Sequence, residues 1–175
     1  MKVKISLFFI LAGAALGCVD IPDFDDAPKI YYSGVSQYTT ESETTGKKDR
    51  EYVTITIDFE DGNGDLGATS QELMDSSFLD PYGDWGNYEL ITLQKTENGT
   101  WIEINKDDNR YKWMPNLKPD GKQGPIKGKL DFNANFPYFN SGVMRYVKFK
   151  VRIRDRALHV SNQIETDSIL VPTVE

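Results

Sequence analysis

The sequence predicts an all-β fold, an antiparallel two-sheet sandwich of immunoglobulin type with about seven strands. Three observations carry this expectation. Apolar and polar residues alternate at a period of two, as in half-buried strands. The alternating segments are short and separated by turn-rich loops. No segment sustains a helical period. A small closed barrel would share these signals and is the alternative architecture.

The first strand, over residues 29–35, is weakly marked. The second, 51–60, is the clearest: Val53, Ile55, Ile57 and Phe59 fall on one face and Thr54, Thr56, Asp58 and Glu60 on the other. Residues 88–95 and 100–104 are β-rich and joined through Asn98-Gly99. That pair suits a two-residue type I′ hairpin turn, whose two positions both take positive φ. Residues 126–132 place Ile126, Leu130 and Phe132 in phase. Late in the chain Val147, Phe149, Val151 and Ile153 interleave with Lys148, Lys150, Arg152 and Arg154, and an interrupted strand covers 160–171. Three connections, 36–50, 61–85 and 105–124, exceed what a hairpin needs. Loops longer than about 15 residues are usually functional or disordered. The first, rich in Thr, Ser and Glu, reads as mobile.

A length of 175 residues with 39% hydrophobic and 27% charged residues leaves room for one ordinary domain. Three Trp, nine Tyr and nine Phe exclude a wholly disordered chain. A formal charge of −7 and a pI near 4.8 argue against a nucleic-acid partner, which needs a concentrated basic surface. One Cys and one His rule out a disulfide within the chain and a His/Cys zinc cluster. They leave little with which to build an enzyme, so a non-catalytic monomer is expected. His159, alone in a late loop, reads as incidental.

The chain opens with an address. Met1 to Lys4 carry two positive charges, and residues 5–16 form an apolar run of twelve, too short for a membrane-spanning helix of about 20 residues. Ala15-Leu16-Gly17 precedes Cys18, the sole cysteine, and the arrangement resembles a bacterial lipobox. The resemblance implies that residues 1–17 are a lipoprotein signal peptide and that Cys18 is the acylated N-terminus, which would tie the protein to a membrane. The other reading is a soluble secreted protein in which Cys18 is a leftover thiol. Cleavage would leave 18 basic against 27 acidic residues, a charge of −9 that an anionic bilayer repels, favouring a tethered body. Residues 18–28, rich in Pro and Asp, form a linker that resembles the export signal of Bacteroidota outer-membrane lipoproteins; a solvated spacer would look the same. Residues 29–175 are the β domain.

The second long loop holds the best chemical motif. Asp58, Glu60, Asp61, Asn63 and Asp65 place five oxygen-bearing side chains within eight residues, and Gly62, Gly64 and Gly67 let the backbone curl. Convergent oxygens suit a hard cation such as Ca²⁺. Asp61, Asn63 and Asp65 with Glu72 in twelfth place imitate an EF-hand loop, but Leu66 stands where that loop requires Gly and no helices flank it. A Ca²⁺ loop on a β scaffold is the surviving metal reading. If 51–60 and 143–155 are the second and sixth strands of the sandwich, their exit loops share one end. Asp155, and with it Asn162, could then approach the acidic loop, near the lipid tether. Two bland readings stand beside this one: an ordinary solvated turn, or neutralisation by Arg152, Arg154 or Arg156.

Phe59 to Gly67, FEDGNGDLG, and Arg154 to Asn162, RDRALHVSN, resemble paired segments of uncharacterised Bacteroidota lipoproteins with immunoglobulin-like domains. Those show an F-x-DGDGD-I/L-G stretch early and a DRA-x-N-x-SN stretch late, so here Asn63 replaces an Asp and His159 an Asn. The resemblance implies an outer-membrane lipoprotein of sandwich fold and no particular activity. The expected role is therefore a binding or structural module of the cell envelope, with a glycan or envelope protein as partner. The alternative is a glycan-binding accessory lipoprotein using Trp85, Trp101 and Trp113, whose flat rings could stack on sugars.

Overall fold

A computed structural model describes residues 22–104, 111–139 and 142–173. The expected signal peptide and Cys18 lie outside the described residues. Among those residues no helix is long and apolar enough to cross a membrane.

The fold is an all-β sandwich of two antiparallel sheets. One sheet has the order β1-β2-β6, from β1 (Lys29–Glu41), β2 (Lys48–Asp61) and β6 (Ile126–Pro137). In the other, β3 (Tyr88–Lys95) and β7 (Val143–Ile153) form the centre. β4 (Trp101–Ile104) and β5 (Tyr111–Lys112) pair along the outer edge of β3, while β8 (Ile164–Glu165) and β9 (Ile169–Thr173) pair along the outer edge of β7. Sequence alternation dictates the layers. Val53, Ile55 and Ile57 of β2 and Val147, Phe149, Val151 and Ile153 of β7 are fully buried and face each other across the core. Tyr88 and Phe132 close it from opposite sheets, their rings stacked at 4.2 Å and 5°.

The wiring places the β2 and β7 exits at one pole. Asp61 ends β2, Arg154 and Asp155 follow β7, and Lys29 at the start of β1 pairs with Glu60. At the opposite pole lie the β1–β2 turn and the pairing of Val143 with Thr173.

Two sequence expectations are revised. Residues 36–50 are mostly strand, since β1 runs on to Glu41 in register with β2, leaving only a tight turn in which the Gly46 amide donates to Ser42 O at 2.8 Å. Polar and aromatic cross-strand pairs sustain this ribbon without an apolar alternation: Gln37 and Thr39 donate to Glu51 at 2.9 and 2.5 Å, and Tyr38 stacks on Tyr52 at 5.2 Å. The hairpin between β3 and β4 exists, but its turn is not type I′. Lys95 pairs with Trp101, and only Gly99 there has positive φ, which fits a longer turn ending in one left-handed residue. The expected two-sheet sandwich of about seven strands is what forms; among the described residues nine segments are strand, because both outer edges of the second sheet are broken into short pieces. The second long loop folds into short helical turns, including α1 (Ser76–Leu79), capped by the Asp75 carboxylate that accepts from the Ser77 amide at 2.9 Å.

Candidate metal centre

At the pole where β2 and β7 end, Asp61, Asp65 and Asp155 bring one carboxylate oxygen each within 4.8 Å of one another. Each arrives by a different local rule. Asp61 continues the inward phase of Val53, Ile55, Ile57 and Phe59, so the end of β2 buries it completely. Asp65 is turned back toward it by the loop: its amide donates to Asp61 Oδ2 at 3.0 Å and to Asn63 Oδ1 at 3.3 Å. Asp155 sits just beyond β7, fully buried.

Neighbouring segments lock this arrangement. The Ala68 amide donates to Met114 O at 2.9 Å, the Leu117 amide to Leu66 O at 3.1 Å, and the Gly124 amide to Asn63 O at 3.1 Å. Gly67 has φ +93°, and a Cβ there would lie 1.9 Å from Pro115 O, so this position accepts only glycine. The linker docks on the same loop. The Gly62 amide donates to Asp25 O at 2.8 Å, and the backbone of Phe24 and Asp25 fills the space a Cβ on residue 62 would need.

The electrostatics are unbalanced. Asp61 Oδ1 and Asp65 Oδ1 are buried and have no hydrogen-bond partner. Burial, followed by the charge of Asp65, pushes the Asp61 carboxyl up to about 7. Burial, followed by the charge of Asp155, raises Asp65 as well. Buried carboxylate oxygens without donors are costly, and uptake of a proton or a cation would relieve that cost. The donor set is all oxygen, which matches a hard ion of the Ca²⁺ class rather than a soft metal.

The arginines suggested as neutralising partners make their hydrogen bonds elsewhere, although the positive charge of Arg156 partly offsets the rise at Asp65. Arg152 pairs with Glu89. Arg154 donates to Tyr82 O at 2.8 Å and Gly86 O at 3.0 Å. Arg156 donates to Gly67 O at 3.0 Å and pairs with Glu72.

Two of the predicted ligands do not join the cluster. Asp58 and Glu60 alternate with the buried residues of β2 and project from the outer face of the sheet. Lys129 Nζ lies 2.7 Å from Asp58 Oδ1, and its hydrogen bond holds that carboxyl below the usual range. The Tyr31 hydroxyl donates to Glu60 at 2.7 Å. Asn63 contributes by orienting the Asp65 amide rather than by presenting a free oxygen. Asn162 does not reach the acids either; its amide is bound to the backbone of Ile30.

Conversely, His159 is not incidental. Its ring Nδ1 lies 2.8 Å from Asp155 Oδ2 and its backbone amide donates to Asp155 Oδ1 at 2.7 Å. The hydrogen bond to Asp155 raises the imidazole pKa. Tyr82 also borders the site, with its hydroxyl 3.4 Å from Asp155 O. Only the four-residue return from Asp155 to His159 pointed to the first; no sequence signal pointed to the second.

The three tryptophans do not all come together: Trp85 and Trp113 flank Gly86 at the start of β3, and Trp101 lies at its far end. Trp85, before β3, lies under the guanidinium of Arg154 at 3.9 Å and that of Arg152 at 4.8 Å. Trp101 pairs with Lys95 at the other end of β3 and carries Lys148 Nζ at 4.5 Å over its ring. Trp113 packs edge-on against Tyr82 at 4.9 Å. Their apolar faces are thus partly covered by cations and rings of the same chain.

Comparison with known proteins finds no family model, no curated protein and no solved structure that matches the chain.

Proposed function

We propose that this chain is a non-catalytic lipoprotein of the bacterial outer membrane, an anchored β-sandwich module whose tether-side pole is closed by a Ca²⁺-class cation held by Asp61, Asp65 and Asp155. The observation that carries the reading is the fully buried Asp61 carboxylate, its Oδ1 without a donor, beside two further carboxylates. A divalent ion would remove their mutual repulsion and give the partnerless Oδ1 atoms of Asp61 and Asp65 a ligand role. The site supports an anchoring role because the linker that would lead back to Cys18 docks on Gly62, within the same loop. A cation there would stiffen the junction between tether and body. The acids that a hydrolase would need in a common cleft point elsewhere, Asp58 to Lys129 and Glu60 to Tyr31. The glycan-platform alternative is weakened because Trp101 lies at the opposite end of β3 from Trp85 and Trp113.

Thermal unfolding of the full chain in detergent, in Ca²⁺ and then in excess chelator, tests the reading. A bound ion stabilises by mass action, by roughly 2.7 kcal/mol at 100 times its dissociation constant. The expected result is a melting temperature several degrees lower in chelator, with the difference abolished in Asp61→Asn and Asp65→Asn. Identical melting of the unsubstituted chain in both buffers would dismiss the cation.

A further inference from the structure

The tether-side pole is acidic inside and basic at its mouth. Asp65 belongs to the buried cluster and also lines a small cavity of about 110 Å³ whose other charged walls are Lys118, Lys122 and Arg156. Three cationic side chains beside a cation site are unfavourable as they stand, because they repel the ion over distances within the Debye length of about 8–10 Å. Local pairing does not cancel them. Lys118 Nζ donates to Gly124 O at 2.9 Å, a neutral acceptor that leaves its charge intact, while Arg156 pairs with Glu72 and also acts through its charge on Asp65.

The coordination arithmetic points the same way. Ca²⁺ takes about 6–8 oxygens. Both oxygens of Asp155 already accept hydrogen bonds from His159, and Asp61 Oδ2 accepts one from the Asp65 amide. One oxygen from each of the three carboxylates leaves coordination positions to be filled by backbone oxygens, water or oxygens from a ligand. Asp65 is the member of the cluster that also lines the cavity, so oxygens entering there approach from its side.

We propose that this cavity is an oxyanion site: it takes a carboxylate or phosphate group whose oxygens meet the cation on one side and Lys118, Lys122 and Arg156 on the other. The proposal rests on the cation reading above and adds a ligand class to it. A volume of about 110 Å³ accommodates one such group and leaves the remainder of a uronic acid or a phosphorylated ligand outside. Cation and anion then bind cooperatively, each raising the affinity for the other by the same factor. Two lysines that would otherwise oppose the ion thereby gain a use.

The test uses the full chain in detergent. Cation binding is measured first, by calorimetry with Ca²⁺ and by the luminescence of Tb³⁺. Sodium glucuronate and inorganic phosphate are then titrated separately at constant ionic strength, in Ca²⁺ and in chelator. The expected result is anion binding that requires Ca²⁺, with whichever anion binds identifying the source of the oxygens. In the double variant Lys118→Gln, Lys122→Gln the anion should bind at least tenfold more weakly, while Ca²⁺ alone should bind as tightly or more tightly because the repulsion is gone. Normal Ca²⁺ binding with neither anion bound, or with anion binding that is unchanged in chelator or in the double variant, would overturn the oxyanion site and leave the module reading standing. Failure of both Ca²⁺ and Tb³⁺ to bind would remove the module reading and this proposal with it.

Discussion

Asn162 clasps Ile30 with both ends of its side-chain amide, accepting the Ile30 N–H through Oδ1 at 2.9 Å and donating through Nδ2 to Ile30 O at 2.8 Å. The side chain thereby does for the start of β1 what a neighbouring strand would do, and it fixes where the linker meets the body. Asn162→Ala removes both partners of a buried backbone position and should cost about 1–3 kcal/mol. Urea unfolding measures this; a midpoint equal to the parent's would mean that water replaces the clasp without loss.

Leu158 holds φ +69° in the turn that returns from Asp155 to His159. A left-handed conformation costs a residue bearing a Cβ roughly 1 kcal/mol, whereas glycine adopts it freely. Leu158→Gly should therefore leave stability unchanged or raise it by up to about 1 kcal/mol, although the side chain becomes smaller and the unfolded chain more flexible. A loss above that size would show that the exposed leucine makes a contact the turn depends on.

The pH dependence of the cation-free protein follows from Asp61. Its pKa is raised to about 7 in the folded state by burial and by Asp65, against an ordinary carboxylate value near 4 when unfolded. The folded chain thus holds a proton that the unfolded chain releases. This stabilisation is complete below about pH 4 and is lost as pH rises toward 7, by an amount on the order of a few kcal/mol. His159, raised by its bond to Asp155, acts in the same direction at somewhat higher pH. In chelator the melting temperature should fall between pH 5 and pH 7.5. In Ca²⁺ the trend should reverse, because the ion needs ionised carboxylates. A chelated protein that gains stability over that interval would contradict the assignment of Asp61.

Tyr88 and Phe149 are both buried in the core, yet their truncations should differ sharply. The Tyr88 hydroxyl is buried without a hydrogen-bond partner, and burial raises its pKa, so Tyr88→Phe removes a desolvated group and keeps the ring stacked on Phe132. Its cost should be near zero or negative. Phe149→Ala, by contrast, empties a fully buried site beside Phe136 and should cost about 3–5 kcal/mol. Chemical denaturation of the two variants side by side decides; comparable losses would place an unseen partner on the Tyr88 hydroxyl.

The legible parts of the fold are those where one sheet face is apolar. β2 and β7 announce themselves because Val53 to Phe59 and Val147 to Ile153 alternate cleanly, and the wiring these two strands imply carries Asp155 to the acidic loop. The second half of β1 is silent for the opposite reason. Ser36, Gln37, Tyr38 and Thr39 pair through hydrogen bonds and ring stacking, which leave no hydrophobic period to read. At the site, the Gly and Asp content of residues 61–67 is legible, but composition alone put Asp58 and Glu60 in the same set. Strand phase separates them. Odd positions of β2 face inward, so Asp61 belongs with Phe59, and the two even-numbered acids belong with Thr54 and Thr56 on the solvent face. Tyr82 carries no such pattern, because the short helical turns that deliver it are set by the packing of the whole second loop.

The pairing of Lys29 with Glu60 at one pole and of Val143 with Thr173 at the other has a mechanical consequence. The described chain ends leave the sandwich in opposite directions along its long axis. If the proposed anchoring holds, a pull between that attachment and anything held at the C-terminal end would slide β1 along β2 and β9 along β7. The interstrand hydrogen bonds lie perpendicular to the strands, so they would bear such a load together rather than unzip one by one. A body strung between two attachments in this way resists extension as a shear joint, and the Asp61 loop lies at the end of that joint where the load from the tether would enter.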